Sequence, residues 1–194
     1  NVALRVTDES GASSIATTTV NVINVAPLVA ASANPAAINE NGSTSVSGSF
    51  TDPGTSDTHT VTINWGDGSM NTVINLPVGT LTYGPVAHTY LDDNPTGTPA
   101  DNYTITVTVT DKDGGSDYKT VMVGVANVAP VITSTSGTSV PQPIGSMATV
   151  TANFTDVGSQ DTHTCTFAWD DGMPNTTVIA AGGVRDVARA VEIA

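Results

Sequence analysis

FTDPGTSDTHTVTINWGDG at Phe50–Gly68 returns almost intact as FTDVGSQDTHTCTFAWDDG at Phe154–Gly172, and this doubled stretch decides how the chain is read. A second echo surrounds it. VTDESGASSIATTTVNVINVAP at Val6–Pro27 matches VTDKDGGSDYKTVMVGVANVAP at Val109–Pro130. The first pair is offset by 104 positions (154 − 50) and the second by 103 (109 − 6). A period near one hundred residues is too long for a solenoid and suits one small globular unit per repeat.

The doubled stretch also shows what kind of unit repeats. In HTVTINW the residues Val61, Ile63 and Trp65 alternate with polar ones, which reads as a strand with one face in a core. YTITVTVTD does the same with Tyr103, Ile105, Val107 and Val109. KDGG at 112–115 then turns the chain into a partner strand, YKTVMVGVAN. STSVSGSF, a weaker segment at Thr72–Leu76 and VAHTY at Val86–Tyr90 complete six or seven short strands per unit. Such a set predicts an all-β, two-sheet sandwich, arranged in tandem. NVAP, at 24–27 and again at 127–130, marks short linkers that proline keeps extended.

The predicted organisation is therefore three passages of one unit. Residues 1–25 are the last strands of a preceding unit, 26–129 a complete sandwich, and 130–194 the first part of a following one. Glu192 stands where His88 would recur, so the HTY strand is expected to be missing from the third passage. GVRDVARAVEIA at its close leaves the repeat and reads as a frayed or partly helical end.

Composition narrows the partners. Of 194 residues only five are Lys or Arg, and the net charge is −13. Such a surface repels phosphate backbones and anionic membranes, which argues against nucleic acid as a partner. The sequence has no run of about 18 apolar residues, so no membrane insertion by a helix is expected. The single cysteine, Cys165, stands where Val61 does in the other copy and reads as a small core residue. Sequons at Asn41, Asn102, Asn153 and Asn175 are acceptors only in a suitable secretory host.

With WGDG, HTY, YTITVTVTDKDGGS and NVAP in register, residues 26–129 resemble a PKD repeat, the module named after the polycystic kidney disease protein. The third passage departs at Asp170, which stands for Gly66. The resemblance implies an extracellular or cell-surface β-sandwich, used in tandem as a spacer or attached to secreted hydrolases. It also implies binding of proteins or polysaccharides by some members and of calcium by others.

Chemistry-bearing residues collect at one end of such a sandwich. The loop with Asp52 and Asp57, the hairpin turn with Asp111, Asp113 and Asp117, and the linker with Asn24 are expected to converge there. Calcium takes six to eight oxygen ligands, so Asp52, Asp57, Asp111 and Asp113 form a candidate metal site at a junction between units. The alternative is that these aspartates order their turns through backbone amides. Asp113 and Asp117 have serine counterparts at Ser10 and Ser14, which weakens a ligand role for both.

No catalytic fingerprint is present. His59 and His163 are repeat equivalents and read as structural; Asp92 and Asp93 lie in a Pro/Gly-rich loop without an apolar pocket signature. Trp65 and Trp169 fall where an immunoglobulin sandwich buries its tryptophan, and Tyr103 resembles a tyrosine corner. The expected function is a non-enzymatic extracellular spacer and adhesion segment whose first partners are neighbouring repeats of its own chain. The alternative is an accessory module binding polysaccharide or protein, with Tyr83 and Tyr90 as candidate exposed aromatics. The partial passages also suggest head-to-tail strand complementation between chains.

Overall fold

A computed structural model describes residues 1–93, 98–141, 143, 146–169, 174–181 and 185–192; the side chains of 147, 180, 181 and 185–192 lie outside the description. The described residues contain strands and no helix. β1 (Val2–Thr7) and β2 (Ser13–Thr18) form a lone antiparallel hairpin. Its Asp8 carboxylate accepts the amides of Ser10 and Ala12 and so fixes the turn.

The sandwich runs from Leu28 to Ala126. β3 (Leu28–Asn34), β5 (Gly42–Thr51) and β8 (Thr82–Tyr90) make one sheet in the order β3-β5-β8. β4 (Ala37–Asn39), β6 (His59–Asn64), β7 (Thr72–Leu76), β9 (Ala100–Asp111) and β10 (Ser116–Ala126) make the other, in the order β4-β10-β9-β6-β7. All pairings are antiparallel except β4 with β10. The alternating residues do as the pleat requires: Val61, Ile63, Ile105, Val107 and Val109 are wholly buried between the sheets. Each such side chain contributes about 1.5–3 kcal/mol of transfer free energy. Trp65 is buried among them, and its indole N–H donates to Thr72 Oγ1 at 3.1 Å.

Strands β3 and β4 were not legible in the sequence. LVAASAN is rich in alanine and lacks the bulky alternation of β9, and its register comes from pairing along β5. The amide of Val29 donates to Asp117 Oδ2 at 2.9 Å, which anchors this first strand to β10 across the sandwich.

β11 (Val131–Gly137), β12 (Met147–Thr155), β13 (Thr162–Phe167), β14 (Thr176–Ala181) and β15 (Arg185–Glu192) follow. They pair as β11-β12-β15 and β13-β14, just as β3 pairs β5, β5 pairs β8 and β6 pairs β7. Two expectations are corrected here. The closing stretch is not frayed or helical over 185–192 but a strand, and it lies along β12 as β8 lies along β5. The place of the HTY strand is thus filled by unrelated sequence, because a ladder is set by backbone hydrogen bonds and tolerates exchange of side chains. The remainder of the closing stretch, 183–184 and 193–194, lies outside the described residues. Phe154 is the buried centre of this second set, packed by Cys165, Phe167 and Val178.

Candidate functional site

The doubled stretch builds the same small structure twice. Phe50 packs on His59 at 4.5 Å between ring centroids, and Phe154 on His163 at 4.7 Å. His59 Nε2 meets Asp52 Oδ2 at 2.8 Å, and His163 Nε2 meets Asp156 Oδ2 at 2.7 Å. In both rings Nδ1 is buried without a hydrogen-bond partner. In both copies the pair braces the loop between two strands, and His59 is enclosed between them.

At the end of the sandwich nearest residue 24, Asp52, Asp57 and Asp111 each place a carboxylate oxygen within 4.8 Å of the others. The expected convergence is real for these three. Asp113 does not join them. It ion-pairs with Lys112, and its amide donates to Asp111 Oδ1 at 2.9 Å. Asp117 serves Val29.

The three converging carboxylates are well supplied with protein donors. Asp52 Oδ1 accepts the Gly54 amide at 2.7 Å, and Asp111 Oδ1 accepts the Gly115 amide at 2.9 Å. Asn24 Nδ2 donates to Asp111 Oδ2 at 2.8 Å, and Lys112 Nζ sits 3.0 Å from Asp57 Oδ1. Burial alone would raise the Asp111 carboxyl, but the hydrogen bonds from Asn24, Gly115 and Asp113 together hold it below its ordinary value. None of the carboxylate oxygens in this group is both buried and without a partner. The Lys112 ammonium, on a half-exposed side chain, offsets part of the charge of this group.

A second acidic group, missed in the sequence, lies at the other end of the sandwich. Glu40, Asp92, Asp93 and Asp161 each place an oxygen within 4.8 Å of the others. Glu40 follows β4, Asp92 and Asp93 follow β8, and Asp161 precedes β13, so the group joins the sandwich to the strands after it. Glu40 is 2% and Asp93 6% exposed. Glu40 Oε1 accepts the Val128 amide at 2.6 Å, while Glu40 Oε2 and Asp93 Oδ2 are buried and unpartnered.

Burial, then the neighbouring carboxylates, push the Glu40, Asp93 and Asp161 carboxyls upward. The expectation that the surroundings of Asp93 cannot raise a carboxyl is therefore corrected. Asp93 is buried at the end of the segment after β8, which sequence periodicity does not reveal. One signal was available for Asp161, since it is the repeat equivalent of Asp57.

The aromatic candidates are also corrected. Tyr83 is 5% and Tyr90 0% exposed. Their hydroxyls donate inward, to Ala30 O and Trp65 O, both at 2.8 Å. Neither ring can stack on a sugar. Tyr103 behaves as a tyrosine corner, donating to Asp92 O at 3.0 Å and tying the loop after β8 back to β9.

Two facing antiparallel-dominated sheets, a buried tryptophan and a tyrosine corner define an immunoglobulin-like β-sandwich. A PKD domain model matches residues 24–125, and the chain belongs to the PKD domain family. Among curated proteins no relative matches. A solved structure from work on the promiscuous specificity of carbohydrate-binding modules of the β-sandwich superfamily is similar at 14% identity, covering 86% of this chain and 85% of that one, with a TM-score of 0.41. No described helix is long and apolar enough to cross a membrane.

Proposed function

We propose that the chain is a non-catalytic, extracellular spacer segment in which PKD units follow one another end to end: the close of one at 1–25, a whole one at 26–129 and a further one from 130. The stapling of both linkers carries this reading. Asn24, ahead of the sandwich, is bonded to Asp111. Behind the sandwich, the Val128 amide is bonded to Glu40 and the Asn127 amide to Pro99 O. Each linker is thereby held to the unit it joins, which suits a segment that transmits position and force.

A non-catalytic role is supported by the enclosure of His59, which is buried against Phe50 and bonded to Asp52. An extracellular setting is supported by the family and by the charge of −13. The test is small-angle scattering of the 194-residue chain. A single elongated particle is expected, with dimensions independent of temperature below the melting transition. A freely reorienting ensemble would refute the spacer. Retention on insoluble chitin, cellulose or collagen would favour the accessory binding module instead.

A further inference from the structure

We propose that Glu40, Asp92, Asp93 and Asp161 form a divalent-cation site, selective for calcium, that clamps the sandwich to the strands following it. The reading rests on the end-to-end arrangement above. It differs from the group at Asp52, Asp57 and Asp111, whose oxygens are met by protein donors.

Three observations converge. First, four carboxylates from three separate loops bring oxygens within 4.8 Å of one another. Two ligands of one calcium ion, each at about 2.4 Å, can lie no more than about 4.8 Å apart.

Second, Glu40 and Asp93 are more than nine-tenths buried, and each turns one oxygen into the group without a hydrogen-bond partner. Among the described residues, Glu40, Asp93 and Asp161 form no ion pair with lysine or arginine. A buried carboxylate oxygen left in this state costs several kcal/mol unless a cation or proton meets it.

Third, the backbone closes on the site at Gly158. A Cβ built there would lie 2.4 Å from Glu40 Oε2 and 2.5 Å from Asp161 Oδ2. The loop of the following strands thus lays Gly158 against the Glu40 carboxylate. Hard, anionic oxygen ligands of this number match calcium in chemistry and count, with backbone carbonyls and water to complete its shell.

The experiment is calorimetric titration of the whole chain with calcium chloride alone, repeated with magnesium. Saturable binding with Kd on the order of 10⁻⁴–10⁻³ M is expected, as in other extracellular modules, with magnesium weaker. Glu40→Gln and Asp161→Asn should each weaken calcium by about tenfold or more, since each removes one ligand charge. Asp57→Asn should change it less than about twofold.

Melting supplies a readout that a merely structural role would not move. In chelator Glu40→Gln should melt at or above the parent, because an amide keeps the Val128 bond and relieves repulsion; in calcium it should melt below it. No saturable binding below about 10 mM overturns the site. So does binding lost in Asp57→Asn and kept in Glu40→Gln. An elongated particle in scattering without calcium binding would remove the ion and keep the spacer. Calcium binding at these residues with free reorientation would do the reverse.

Discussion

Replacing Asp52 by alanine tests whether the doubled stretch is a structural brace. The Asp52 side chain is wholly buried and the His59 side chain 2% exposed. The substitution removes the 2.8 Å contact to His59 Nε2 and the 2.7 Å bond from the Gly54 amide. Because Nδ1 has no partner to begin with, the ring loses its one hydrogen bond. Leaving a buried polar group unpaired costs about 1–3 kcal/mol, so two such groups give about 2–6 kcal/mol. That is a large share of the 5–15 kcal/mol typical of a domain.

For a unit of about one hundred residues, each kcal/mol lowers the melting temperature by about 4–8 °C, so a fall of at least about 8 °C is expected. Urea unfolding followed by tryptophan fluorescence measures it, with an unchanged m-value showing that the native fold persists. Asp52→Asn keeps an acceptor for Gly54 and should cost about half as much. A loss below about 1 kcal/mol for Asp52→Ala would refute the brace.

Tyr103→Phe removes the bond to Asp92 O and should cost about 1–2 kcal/mol by urea midpoint, with faster amide exchange at 91–93. Burial alone would raise the Asp67 carboxyl, but hydrogen bonds from Ser69 and His88 outweigh it and hold the group below its ordinary value. Its stabilisation is therefore present above the unfolded carboxylate range and is lost as pH falls below about 4; Asp67→Asn should flatten that acid limb of a melting-temperature profile. Val2, Leu4 and Val6 on β1 are exposed, whereas their equivalents Ile105, Val107 and Val109 are wholly buried. An open groove of about 840 Å³, lined in part by Phe154 and Phe167, offers the second set of strands as an acceptor. Light scattering should show concentration-dependent association that Leu4→Asp abolishes, and a monomer at all concentrations would reject strand complementation.

What the sequence disclosed follows from what sequence can encode. Alternation in β6 and β9 is a period-2 signal, and Val61, Ile63, Val107 and Val109 obeyed it because one face is dry. The convergence of Asp52, Asp57 and Asp111 was also legible, since topology alone brings those two loops together. β15 was hidden because RDVARAVE lacks the sequence of β8 while taking its place in the ladder. Tyr83 and Tyr90 misled because a tyrosine can face either way. What decided them was two inward acceptors, the carbonyls of Ala30 and Trp65. The group around Glu40 was illegible for a different reason. Its members come from three separate stretches of the chain and meet only where the later strands reach the sandwich.

That junction explains why equivalent residues serve the two ends differently. Asp57 and Asp161 are the same position in the repeat, yet Asp57 is met by Lys112 and Asp161 by Glu40, Asp92 and Asp93. The lysine is not a fixed part of the hairpin: the residue matching Lys112 in the first passage is Glu9. The aspartate that shapes the turn is kept, with Asp8 and Asp111 accepting the same pair of backbone amides. Turn formation therefore fixes Asp111 and leaves the next position free to carry either charge. Where it carries a lysine, the carboxylate of the neighbouring loop is neutralised from within its own unit. Among the described residues no lysine or arginine pairs with Asp161, and the cation proposed above would meet its charge. Introducing Lys112→Glu should accordingly create at Asp57 a demand for a cation that the parent lacks. A second calcium-binding event in calorimetry is the expected result, and an unchanged stoichiometry would show that lysine plays no part in setting which junction takes the ion.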